Sequence, residues 1–223
     1  MSLPALSLLE TRVLGVLVEK QHTVPDTYPL TLNALAAGCN QKTSRDPTMD
    51  ASTGDIQAAI DALRSLSLII ETSGGRVMRY AHNTERVLQV PSQAVALLAT
   101  LMLRGPQTVA ELRMNAERLH RFADASALEA FLAELSERPS GALVVELPRQ
   151  PGSRENRWAH LLSGPPAALD LRRPERGAPM HAPAGTAGLA ERIEQLETKV
   201  IELERALEEL RASLPVSRSE ATT

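Results

Sequence analysis

The seven residues RVMRYAH, Arg76 to His82, return later in the chain as RENRWAH, Arg154 to His160, with Arg, Arg, an aromatic ring, Ala and His in the same places. A match of that density marks an internal duplication. It constrains the fold more than any local propensity, because both copies must build the same supersecondary unit. In the first copy Leu6, Leu9, Val13, Val16 and Leu17 recur at three- and four-residue steps and predict a helix over about Ser7 to Lys20. HTVPDTYP breaks it, LTLNALAAGC predicts a second helix, and STGDIQAAIDALRSLSLII predicts a third, with Ser52 or Thr53 as N-cap and Asp55 in the first turn. The period then changes: LIIET, a turn at Ser73-Gly74-Gly75 and RVMRYAH read as a β-hairpin.

The second copy follows the same order. SQAVALLATLMLRG, QTVAELRMNAERL and DASALEAFLAELSER are its three helices, and ALVVELP, RQPGS and RENRWAHLL its hairpin. Three helices followed by a hairpin is the order of a winged helix-turn-helix domain. The predicted fold is therefore mainly α with small β-hairpins (α+β): tandem winged helix-turn-helix domains over residues 1–90 and 91–164. From Lys20 to Arg76 the first copy runs about six residues longer than the second does from Arg104 to Arg154, and the polar stretch GCNQKTSRDPTMD, Gly38 to Asp50, is where the extra length falls.

Beyond Gly164 the composition becomes rich in Pro, Ala and Gly, which predicts a linker over 165–188. Leu189, Ile193, Leu196, Val200, Leu203, Leu207, Leu210 and Leu214 then alternate steps of four and three, a coiled-coil seam over 189–214 followed by a loose tail at 215–223. Ile193 and Val200 at a with leucine at every d favour a parallel pair, in which Arg192 faces Glu197 and Lys199 faces Glu204 of the other chain. A homodimer is expected, against a lone helix folding back on its own domains; so short a helix is marginal by itself.

The strings YPLTLNALAAGCNQKTSRDP, LMLRGPQTVAELRMNAERLHRFAD and LPRQPGSRENRWAHLLSG resemble the YceH-type bacterial family over about Ser7 to Gly164, with Trp158 standing where Tyr is expected. The resemblance implies two winged-helix domains and no particular biochemical activity.

Several classes of function find little support. The apolar run at the N-terminus carries Glu10 and Arg12 and no preceding basic residue, so neither a signal peptide nor a membrane span is expected, and the single cysteine, Cys39, fits a reducing cytoplasm. Histidines 22, 82, 120, 160 and 181 are scattered without metal-ligand spacing, and Gly74-Gly75 is not followed by a phosphate-loop helix. No cofactor, metal or catalytic group is expected. Cys39 reads as a small packing residue rather than a redox sensor, and Glu111 and Glu117 as solvated.

A net charge of -3 leaves any nucleic-acid surface local. The third helices carry Asp55 and Asp61 against Arg64, and Asp124, Glu129, Glu134 and Glu137 against Arg138, so an acidic helix would meet the duplex. Cations lie instead at Lys42 and Arg45 of the inserted loop, Arg76 and Arg79 of the first wing, and Arg149, Arg154 and Arg157 of the second. These seven are the candidate contacts for double-stranded DNA in a transcriptional regulator that grips backbone with wings and loop. For the repeated signature the structural reading is the stronger, since His and Ala offer a duplex little. For the loop a binding role is favoured over an Asp46-Pro47 turn that caps neighbouring helices. The rival function is a protein-interaction adaptor, as in bacterial segregation and condensation protein B.

Overall fold

The structure, a computed structural model, describes residues 4–73, 77–149, 153 and 155–166. The chain divides into two units, Met1–Arg173 and Pro174–Thr223, and every described residue lies in the first. The linker and the heptad seam from Leu189 to Leu214 fall outside the described residues.

Helix α1 (Leu8–Thr23) starts where expected, at Ser7, whose hydroxyl accepts from the Glu10 N–H while the Glu10 carboxylate accepts from the Ser7 N–H. After a 3-10 turn at Pro25–Thr27 comes a strand not foreseen, β1 (Leu30–Thr31), and then α2 (Leu32–Cys39), capped by Thr31. Two residues are too few to show a strand's alternation, and LTLNALAAGC reads as helix from its first residue. Helix α3 (Thr53–Ser65) has Ser52 and Asp55 as a reciprocal capping box. Strands β2 (Ile69–Ser73) and β3 (Met78–His82) form the antiparallel hairpin, and β1 joins it in the order β1-β3-β2, Leu30 opposite Tyr80.

A short helix, α4 (Thr84–Leu88), leads into the second copy: α5 (Ser92–Arg104), α6 (Val109–Ala116), α7 (Ala125–Ser136), and the hairpin β4 (Val144–Leu147) with β5 (Arg157–His160). The copies share a detail finer than element order. Where β1 pairs with Tyr80, Gln107 exchanges both backbone hydrogen bonds with Trp158, at 3.0 and 2.7 Å, so the aligned aromatic is tied to the segment before the second helix in each repeat.

The two repeats share one core. Helices α1 and α5 pack along each other, α1 buried through its middle and α5 along most of its length; Val13, Leu14, Val16 and Leu17 join Leu97, Leu98 and Leu101 in one apolar cluster. A Cβ on Gly15 would come within 3.0 Å of Leu103 Cγ, so glycine sets the helix spacing. At the far end Leu6 N–H donates to Leu162 O at 2.7 Å, tying the start of the described chain to its last hairpin.

Candidate interaction surfaces

The inserted loop is not a free polar excursion. At its base Asn40 Nδ2 donates to Ala51 O at 2.8 Å and the Ala51 N–H donates to Asn40 Oδ1 at 2.9 Å, closing the loop. The side chain of Arg45, expected at a phosphate, is wholly buried: Nη1 and Nη2 donate to the two carboxylate oxygens of Glu19 at 3.1 and 2.6 Å, and Nε donates to Gly38 O. A second buried arginine, Arg12 of α1, donates to Cys39 O at 3.2 Å and Pro47 O at 2.6 Å. The loop also reaches the second repeat, since Asp46 N–H donates to Leu103 O and Arg104 Nη2 donates to Ser44 Oγ at 2.7 Å.

Arg45 is thus withdrawn from the candidate DNA contacts, because all three guanidinium nitrogens bind protein acceptors and no surface remains for a phosphate. Lys42 stays exposed at the loop tip. The electrostatics follow from burial and pairing. Burial lowers the Arg12 pKa, and the charge of Arg45 adds to it. Burial alone would raise the Glu19 carboxyl, but the Arg45 hydrogen bond and charge, with Lys20 behind them, hold it below its ordinary value. Burial pushes the Cys39 thiol up to about 12 against the pull of both arginines, leaving it a packing group and a poor nucleophile.

Several described residues of the repeated signature make contacts within the fold. Arg79, half-buried, has Nη1 donating to Thr27 O and Pro29 O at 3.2 and 2.7 Å, bracing the turn before β1. Arg157 Nη2 lies 3.5 Å from Glu111 Oε1, both side chains about two-fifths exposed. Ala159 is buried. His82 Nε2 meets Gln21 Oε1 at 2.6 Å, and His160 Nδ1 is buried without a partner. Burial pushes both histidines down to about 4, with the charge of His22 adding to it at His82. Arg76 and Arg154 lie outside the described residues; Arg149 is exposed. Glu111, expected to be solvated, also closes a capping box with Thr108.

The third helices present no free cation among the described residues. Arg64 pairs with Glu71 at 2.6 Å and Asp61 at 3.7 Å, and Arg138 donates to Leu88 O. Asp55 is engaged in the Ser52 capping box and Asp124 as the N-cap of α7, while Glu129, Glu134 and Glu137 stay exposed.

A groove of about 1000 Å³ that the sequence did not indicate runs between α6, α7 and the β4–β5 hairpin. Val109, Met114, Phe122 and Trp158 supply its apolar lining, and Met114 is 69% exposed. Its charges are mixed: Arg113, Arg121 and Arg149 against Glu117, Glu129, Glu146 and Glu155. The available signal was Met114 itself, an apolar residue of α6 lying off the face that buries Leu112 and Ala116. Among the described residues no three His, Cys, Asp or Glu side chains gather to hold a metal, and no helix is long and apolar enough to cross a membrane.

The duplicated three-helix-and-hairpin unit defines the class: a mainly α protein with two small antiparallel sheets, the element order of tandem winged helices. The chain belongs to the family described as "Protein of unknown function, DUF480", whose model matches residues 6–153, in agreement with the YceH-type assignment. It is 59% identical over 213 residues to a UPF0502 protein of Dechloromonas aromatica, covering 96% of each chain. A UPF0502 protein of Cupriavidus necator is 56% identical over 218 residues, 96% of this chain and 89% of the relative, and one of Burkholderia multivorans is 64% identical over 163 residues, 73% and 69% respectively.

Proposed function

We propose that this protein is a cytoplasmic, non-catalytic interaction module that captures a segment of another protein in the groove between α6, α7 and the β4–β5 hairpin. The observation that carries the reading is the exposed Met114 beside Trp158 and Phe122, an apolar floor inside a charged rim. That layout is the one of a protein interface, where an apolar centre supplies the energy and a polar rim the register. The rim holds four carboxylates against three guanidinium groups, which repels a polyanion and suits a segment with one apolar side chain flanked by charges of both signs. The homodimer expected of the heptad seam would present two such grooves and raise avidity for a paired partner.

Double-stranded DNA bound by loop and wing, in transcriptional regulation, is the second reading. It rests on Lys42 and Arg149, which remain in solvent. One experiment separates the two. Peptides selected from a random display library on the full chain, and a random duplex, are each titrated against wild type, Met114→Glu and Lys42→Glu/Arg149→Glu. The groove reading expects selected peptides to share an apolar residue between charges and to lose at least tenfold in affinity in Met114→Glu. Duplex binding whose salt slope falls by about 0.9 for each phosphate that the double variant no longer neutralises, with no peptide enriched, would replace it with the DNA reading.

A further inference from the structure

A second cavity, of about 150 Å³, lies where the loop meets both repeats. Its lining includes Lys20 of α1, Arg104 at the end of α5 and Arg118 just past α6, with Ser44 and Gln41 of the loop. At about 30 Å³ of liquid volume per water it holds roughly five waters. That is too small for a drug-sized molecule, whose sites run about 300–1,000 Å³, and sufficient for one tetrahedral oxyanion and its hydration.

The cations exceed what their surroundings require. The only carboxylate on the lining among the described residues, Glu19, is already held by Arg45 at 2.6 Å, with Lys20 at 3.4 Å. The C-terminal turns of α1, α5 and α6 border the cavity, and each carries about half a negative charge. Together they offset about one and a half of the net positive charge of roughly three left by Lys20, Arg45, Arg104 and Arg118 after Glu19 is counted. Arg104 is oriented by its bond to Ser44 Oγ at 2.7 Å, and no hydrogen bond ties up Arg118 among the described residues. An arginine held by the loop, a second exposed arginine without a hydrogen-bond partner among the described residues, and a lysine on the same lining are donors matched to a phosphoryl group.

We propose that this cavity at the seam of the two repeats binds a phosphoryl group, supplied either as a free phosphate species or by the backbone of a nucleic acid. The site is separate from the groove and stands or falls without it. The test measures binding of inorganic phosphate and of a random duplex to the full chain, at constant ionic strength, for wild type, Arg118→Gln, Lys20→Gln and the control Arg86→Gln on α4. Arg118 is exposed, so its variant should melt with the wild type. Saturable phosphate binding weakened at least tenfold in Arg118→Gln and in Lys20→Gln, and unchanged in Arg86→Gln, supports the site; if the duplex is indifferent to these changes, the ligand is a free phosphate species. Duplex affinity that falls likewise makes the backbone the source. No saturable phosphate binding together with indifferent duplex affinity, or an equal loss in Arg86→Gln, overturns the proposal and leaves the cations as neutralisers of three helix ends.

Discussion

Replacing Arg45 by Ala separates a structural loop from a DNA-contacting one. The guanidinium makes two charge-assisted contacts with Glu19 and further bonds to Gly38 O and Ser44 O, and its side chain has no exposed surface. Removing one partner of a buried ion pair costs about 3–5 kcal/mol, chiefly because the other charge is left uncompensated. The Glu19 side chain keeps 15% exposure and has Lys20 at 3.4 Å, which puts the cost at the lower end, about 3 kcal/mol. The carbonyl of Gly38 loses its donor for about 1 kcal/mol more. The sum, about 4 kcal/mol, is a large share of a domain stability of about 5–15 kcal/mol.

Urea unfolding reads it with two probes, helical circular dichroism and the fluorescence of Trp158, the chain's single tryptophan, which lies in the second repeat. Because the repeats share one core, both probes should move together and by the same amount. Glu19→Gln in the Arg45→Ala background should recover part of the loss, since it removes the stranded charge. Lys42→Ala, at the exposed tip, should stay within about 0.5 kcal/mol of wild type. Arg45→Ala that loses less than about 1 kcal/mol while weakening duplex binding would refute the structural reading. The pair also carries a pH signature. Because the folded Glu19 carboxyl is depressed, its contribution is present above the unfolded value of about 4.3 and is lost as pH falls through the folded value.

His82 and His160 give a second pH dependence at milder acidity. Both are held neutral to about 4 in the fold against 6.5 when unfolded, so the unfolded chain takes up protons first and stability declines as pH falls from about 6.5 towards about 4. The limit is about 3 kcal/mol for each ring; His160→Phe should flatten this slope between pH 7 and 5, and an unchanged slope would remove His160 from the account. Gly38→Ala would set a methyl 2.6 Å from Val16 Cγ1 and should cost about 1–3 kcal/mol in urea unfolding, part of it recovered by Val16→Ala; a neutral Gly38→Ala would mean that α2 can slide on α1. Deleting residues 189–214 should convert a dimer to a monomer in sedimentation, and a surviving dimer would move the interface to the folded unit.

The legible parts of the fold were those written in local chemistry. Ser52 with Asp55 was readable as a helix start and the duplicated signature placed both hairpins, whereas the boxes of Ser7 with Glu10 and Thr108 with Glu111 came only with the structure. What the sequence withheld was long-range pairing. Arg45 meets Glu19 across 26 positions and Arg12 meets Pro47 across 35, and no periodicity connects such partners. One hint was present: Arg12 sits three residues after Leu9 and four before Val16, on the buried face of its own helix, where a cation persists only if acceptors are brought to it. The loop carbonyls are those acceptors. The insertion that distinguishes the first repeat therefore supplies acceptors to both Nη atoms of one core arginine, whose Nε stays unpartnered, contributes another arginine to Glu19, and extends through Asp46 and Ser44 to the end of α5. The loop closes a seam between the repeats, and Arg45, which looked like a contact for a duplex, instead forms the charged pair with Glu19 there. The second repeat, whose helices and hairpin follow one another without such an insertion, is the copy that leaves Met114 and its groove open.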